Sequence, residues 1–195
     1  MTTPVLGDGS WERMVRAVEK VRAKMQRAIR ALELAEIHYA VIGDQAIAHW
    51  VASVDESATR NTPDVDILLH RTDLDRAATA FARTDLVRLS AERDDLFGEP
   101  GAKSRDAVRI AFCGEKSRQQ DLAPAPDVLE TVQARGFWVL NLAALVGLGL
   151  ASFRLEDRVN LRDLLDVGLI DASWKARYPD ELAARLQELI DTPDG

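Results

Sequence analysis

The sequence predicts an α/β (α+β) fold: a mixed β-sheet flanked by helices, followed by a helical C-terminal region. Three observations carry this. Two short apolar runs, HYAVIG at 38–43 and VDILLH at 65–70, are each followed by a segment of helical periodicity. A third run alternates Val108, Ile110 and Phe112 with Arg109, Ala111 and Cys113, the two-residue period of a strand with one buried face. From Asn141 onward, helical spacing dominates to the end of the chain. The 195 residues are read as a single domain. It comprises an N-terminal helix at 10–35, an α/β core at 36–115 and a helical region at 136–195.

The elements follow in order. Residues 1–9 read as a flexible lead-in. Between Ser10 and Ala35, residues Trp11, Met14, Val18, Val21, Met25, Ile29 and Leu32 recur at steps of three and four, forming one apolar stripe. Arg13, Arg16, Lys20, Lys24 and Arg27 form a second stripe, expected to be a solvated face. A strand at 38–43 leads directly into a helix at 44–52. Residues 53–63 are polar and read as a loop, and Val65–His70 is the next strand. A helix starts at Thr72 or Asp73 and runs to about Ala82. Residues 86–89 are a further strand candidate. The polar, glycine-containing stretch 90–106 and residues 114–127 read as connections. Asn141 is the expected N-cap of the first C-terminal helix, Gly168 a stop and Pro179 a first-turn residue.

Composition narrows the function classes. Apolar content of 47% and charged content of 29% suit a globular domain. The net charge of −7 argues against nucleic-acid binding through bulk charge. One cysteine, Cys113, rules out a disulfide framework within the chain and fits the cytoplasm. The N-terminus shows no signal-peptide pattern. The most apolar window, 140–155, is shorter than the ~20 residues of a spanning helix. His38, His49 and His70 lack metal-ligand spacing, and no serine or cysteine sits in a GxSxG turn.

The segment 39–69 carries the chemistry. Asp64 and Asp66 are two residues apart at the start of an apolar strand, so their side chains share a face. Two neighbouring carboxylates repel unless their charge is offset, and Mg2+ is commonly held by one or two carboxylates together with substrate phosphates. Gly43 closes the preceding strand and opens a helix. Such a turn allows phosphate to approach backbone N–H groups at a helix N-terminus. Arg60 and Thr62 precede the carboxylates and are candidates to contact a triphosphate or to order the loop.

Arg60, Thr62, Asp64 and Asp66 reproduce an R-x-T-x-D-x-D block position by position, and Gly43 stands at the first of two expected glycines. In these residues the chain resembles the core of the DNA polymerase β-like nucleotidyltransferase superfamily, and within it the AbiEii-type toxins and minimal nucleotidyltransferases. The resemblance spans about residues 36–170 and includes Asp163 and Asp166 with D-x-x-D spacing, preceded by Arg162. It implies transfer of a nucleoside monophosphate from an NTP to an RNA, protein or small-molecule acceptor, with Mg2+ or Mn2+. It further implies Asp64 and Asp66 as catalytic metal ligands, and Gly43, Asp44, Arg60 and Thr62 as nucleotide-binding residues. A protein partner such as an antitoxin is also implied. The chain departs from the pattern in three places. Asp44 replaces the second glycine, Gly149 stands where a lysine is expected, and Arg109 or Ala111 stands where a third carboxylate is expected, leaving Glu115 as the nearby metal-ligand candidate. These departures imply the alternative of a weakened or inactive enzyme acting as a nucleotide-binding or protein-interaction module.

Overall fold

The structure is a computed structural model and describes residues 8–90 and 95–192. The first seven residues of the lead-in and residues 193–195 lie outside it, as do the side chains of Trp11 and Met14. Helix α1 (Asp8–Leu34) precedes strand β1 (Ala40–Ile42), α2 (Gly43–Ala52), β2 (Val65–Leu69) and α3 (Leu74–Ala82). Strands β3 (Val87–Arg88), β4 (Leu96–Gly98), β5 (Val108–Phe112), β6 (Thr131–Ala134) and β7 (Phe137–Leu140) follow. The chain ends in α4 (Leu142–Ser152), α5 (Leu155–Asp166) and α6 (Asp180–Asp191). The strands form one mixed sheet, ordered β3-β4-β5-β2-β1-β7-β6. β2 lies in the middle, antiparallel to β1 and parallel to β5.

Alternation along β2 divides the molecule. Val65, Ile67 and Leu69 point into a core with α1 and α3, built on Met25, Ile29, Leu32, Phe81 and Phe97. Leu68 points the opposite way, into a core formed with α2, α4, α5 and α6. Asp64 and Asp66 have the parity of Leu68, so they too belong to that face. Apolar residues of β5 fill the first core, which leaves Arg109 and Ala111 on the side of the aspartates.

Several elements differ from the sequence expectation. The stretch 90–106 contains β4, whose three residues are all buried and of which Leu96 and Phe97 pair with β5. Three residues are too few to show a period inside polar surroundings. Residues 136–140 were expected to be helical, but Phe137–Leu140 is a strand that joins the sheet beside β1 and turns back on β6 at Gly136 (φ +89°). Its four apolar residues lie ahead of the expected Asn141 cap and are too few to show a strand period. The boundary with α4 is set by Asn141, whose Oδ1 accepts the Ala144 N–H at 2.9 Å. A second break falls at Phe153 (φ +49°), which separates α4 from α5. Gly168 (φ +73°) follows the end of α5 as expected, and Pro179 sits one residue before α6. No helix among the described residues is long and apolar enough to cross a membrane.

The basic stripe of α1 is not uniformly solvated. Arg16 and Lys20 are exposed, but Lys24 is buried, with 8% of its surface accessible. Its Nζ donates to the carbonyls of Pro63 (3.2 Å), Asp106 (3.0 Å) and Ala107 (3.3 Å). These carbonyls immediately precede the parallel strands β2 and β5, so one ammonium ties both strand starts to α1. The apolar stripe is also only partly used: Met25, Ile29 and Leu32 are buried, whereas Val18 is 39% exposed.

Replacing Lys24 by Met keeps the aliphatic stem and removes all three donors. Urea denaturation should show a loss of roughly 1–3 kcal/mol, the usual cost of stranding buried acceptors. A variant as stable as the parent would show that these bonds contribute nothing net.

Candidate functional site

The site begins where β1 turns into α2. Gly43 has φ +61°, a left-handed conformation that glycine adopts without steric cost. β1 and β2 are registered so that Ile42 faces Asp66. A Cβ on Gly43 would lie 2.7 Å from Asp66 Oδ2, so the turn and the carboxylate are in direct contact. Glycine is required here twice, by the dihedral and by the space.

Asp66 is largely enclosed, with 18% of its side chain exposed. Arg109, its register partner on β5, places Nη1 3.2 Å from Oδ1. The guanidinium supplies charge without an aligned hydrogen bond, and Oδ1 is a buried oxygen lacking a hydrogen-bond partner. Burial therefore dominates and pushes the Asp66 carboxyl up to about 6; Arg109 opposes the shift, while Asp64 and Asp44 reinforce it. Gly43, Asp66 and Arg109 line a cleft of about 500 Å3, whose other walls include Lys116, Arg118 and Arg154.

Asp64, one residue before β2, lines a smaller recess of about 150 Å3 together with Asp44, Arg60, Thr62, Asn160 and Asp163. The two aspartates thus share a sheet face but open onto different hollows. A chain of hydrogen bonds frames the recess. Thr62 Oγ1 donates to Asp44 Oδ2 (2.7 Å) and accepts the Asp64 N–H (3.3 Å). Asn160 Nδ2 donates to Asp44 Oδ1 (2.7 Å), and its own Oδ1 accepts from Arg60 Nη2 (2.9 Å). Arg60 Nε donates to Asp163 Oδ2 at 2.6 Å. Gln45 Nε2 completes the frame by donating to the Thr62 and Asp64 carbonyls.

These contacts place each expected residue. Gly43, Asp44, Arg60, Thr62, Asp64 and Asp66 do gather around the β1–α2 turn. Arg60 and Asp44 are engaged mainly with protein groups: Arg60 braces the loop onto α5. Asp44 sits in the first turn of α2, where the helix dipole favours negative charge, and both of its oxygens accept hydrogen bonds. Glu115 lines the large cleft, but Arg71 grips it in a two-pronged ion pair (2.5 and 2.7 Å) that lowers its carboxyl pKa. Among the described residues, no group of three or more His, Cys, Asp or Glu side chains is arranged to hold a metal ion.

In the C-terminal motif, Asp163 receives Arg60, whereas Asp166 is exposed. Arg162 donates to the carbonyls of Leu189 and Thr192, and Arg158 pairs with Glu188, so both bind α5 to α6. Gly149 lies where α4 meets α5: a Cβ there would meet Leu161 at 3.4 Å. Among the buried polar residues of the site, Asn160 and Asp121 were not anticipated. Asn160 is a polar residue on the buried side of α5, and that position was the only signal it gave. Asp121, 4% exposed in a segment read as an open connection, lines the cleft and accepts the Arg118 N–H at 2.9 Å.

No protein-family model matches the chain, and no curated protein matches it. Among solved structures, it is similar to a crystal structure from H. pylori provisionally named a nucleotidyltransferase. The identity is 14%, the match covers 89% of this chain and 76% of that one, and the TM-score is 0.48. It is also similar to the solution structure of the antibiotic-resistance factor ANT(2'')-Ia, with 11% identity, coverage of 93% and 84% respectively, and a TM-score of 0.40.

Two outcomes test this geometry. Gly43→Ala should lose at least about 1–2 kcal/mol from the left-handed backbone alone, measured by thermal unfolding, with a further loss from the contact with Asp66. A neutral substitution would mean that the turn relaxes freely. The second outcome concerns pH. The folded pKa of Asp66 lies above its unfolded value, so its contribution is fully present below about pH 4 and is lost as pH rises through about 6. Relative to Asp66→Asn, the parent should therefore lose up to about 3 kcal/mol across that window. Parallel pH–stability curves would contradict the assigned shift.

Proposed function

We propose that the chain is a nucleotidyltransferase-type protein that binds a nucleoside triphosphate in the 500 Å3 cleft, and in which transfer is slow or absent. The contact between the Gly43 turn and Asp66 at the cleft floor carries the nucleotide reading. A turn that opens a helix can receive phosphate oxygens on backbone N–H groups. The R-x-T-x-D-x-D block from Arg60 to Asp66 supports the class. The AbiEii-type assignment, an antitoxin or other protein partner, and a cytoplasmic setting form part of this same proposal and rest on that block and on the single cysteine.

Transfer in this class forms a bond from an acceptor oxygen to the α-phosphorus while pyrophosphate leaves. A divalent cation would supply charge stabilisation there. The described residues do not fit a two-metal arrangement: Asp66 is paired with Arg109, Glu115 with Arg71, and among the described residues no group of three or more His, Cys, Asp or Glu side chains is arranged to hold a metal ion. That misfit favours nucleotide binding without efficient chemistry. The intact Arg60–Asp66 block favours the second reading, an active transferase acting on RNA, protein or a small molecule.

Calorimetry with each NTP, in Mg2+ or Mn2+, should give weak binding, on the order of 0.1–1 mM. Labelled NTPs incubated with cellular RNA and protein extract should yield little product. Robust labelling that disappears in an Asp64→Ala/Asp66→Ala variant would establish the active reading. Absence of nucleotide binding under all conditions would leave only an interaction module.

A further inference from the structure

The aspartate pair carries its own counter-cations, one on each side. In the sheet, Arg109 stands in register with Asp66 across the parallel β2–β5 ladder, with Nη1 3.2 Å from Oδ1. The ladder fixes this arrangement: the same parity that turns Val108 and Ile110 into the core turns Arg109 towards the aspartates. The second cation is Lys24, reaching from α1 to the carbonyls of Pro63, Asp106 and Ala107, at the starts of the same two strands. Its ammonium is held there with all three donors used; burial lowers its pKa, and the charges of Asp106, Asp64 and, least, Asp66 oppose that shift.

Arg109 and Lys24 offset part of the charge of the two carboxylates, to which Asp44 adds. A divalent ion approaching Asp66 would meet a guanidinium already beside this more buried carboxylate. Of the other carboxylates lining the cleft, Glu115 is paired with Arg71 and Asp157 with Arg154. Arg109 itself is 43% exposed and lines the cleft, so it faces an incoming ligand as well as Asp66.

We propose that Lys24 and Arg109 are the resident cations of this site, that the Asp64–Asp66 pair takes no divalent metal, and that Arg109 contacts the phosphate group of a bound ligand directly. Arg109 thereby sets the site's ion specificity. The metal arm of the test contains no nucleotide, so it stands independently of the nucleotide reading.

Mn2+ suits oxygen ligands and reports binding through loss of its free-ion EPR signal. The parent protein should show no saturable Mn2+ site that depends on Asp66. Arg109→Asp should bind Mn2+ at least about tenfold more tightly than the parent, because a repelling charge becomes a ligand. Adding Asp66→Asn to that variant should abolish the gain. Should Arg109→Asp fail to fold, Arg109→Met removes the charge at similar length and should still bind more tightly than the parent. A parent site lost on Asp66→Asn, or Arg109 variants that bind Mn2+ no better than the parent, would overturn the proposal. In the nucleotide arm, ATP should bind equally in EDTA and in Mg2+, and less in Arg109→Met. A tenfold gain from Mg2+ would also overturn it. ATP that binds under neither condition would remove the nucleotide reading and the phosphate contact with it, and the Mn2+ arm would still decide the metal claim.

Discussion

β2 is buried on both faces at the centre of the sheet, with one carboxylate, Asp64, just before it and another, Asp66, at its second residue. A charged group in such a place must be matched by protein or by ligand, because leaving it unpaired in the interior costs several kcal/mol. Much of the local architecture follows from that constraint. The parallel ladder with β5 supplies Arg109 opposite Asp66, α1 supplies Lys24 beneath the strand starts, and β1 ends in the one residue type that lets the next turn close against the carboxylate. Even so, the match at Asp66 is incomplete. Arg109 is near but not aligned, and the resulting balance leaves burial as the stronger influence on the carboxyl.

The recess around Asp64 answers the same constraint with hydrogen bonds. Asp44, at the second position of α2, would be unfavourable beside a bound phosphate. As a structural residue it is well placed, stabilised by the helix dipole and by donors from Thr62 and Asn160. Arg60 joins the loop to α5 through Asn160 and Asp163, over sequence separations of 100 and 103 residues. Part of that brace is exposed, so its ion pair contributes less than its short distance suggests. Its larger effect is to fix where the loop enters β2, and so where Asp64 points.

The sequence revealed those parts of the molecule whose period is long enough to read. The C-terminal half of α1, β1 with the turn at Gly43, β2, α3 and β5 were all visible in the sequence pattern, and parity placed Asp64 and Asp66 on one face, whereas the register of Arg109 beside them came only with the structure. β4 and the β6–β7 hairpin were not visible, because strands of three and four residues carry too few alternations. Lys24 was misread for a different reason. Spacing reports which residues share a helix face, but not where the chain's carbonyls will fall against that face. Asn160 and Asp121 were hidden likewise, since their partners lie far away in sequence or in an irregular segment.

The residues that suggested an activity also have structural partners, and this changes what their presence means. Thr62 holds Asp44 and the Asp64 N–H, Arg60 holds α5, Gly43 is demanded by its own backbone angle, and Asp163 receives Arg60. A chain that had lost its chemistry would still need each of them to close the β1–α2 turn and seat the C-terminal helices. The block from Arg60 to Asp66 therefore defines the type of fold and site more firmly than it defines catalysis. Arg109 differs from these in its setting: it faces away from the core with α1 and α3, its partner is Asp66 itself, and it lines the cleft. The arginine at that position places its guanidinium 3.2 Å from Asp66 Oδ1.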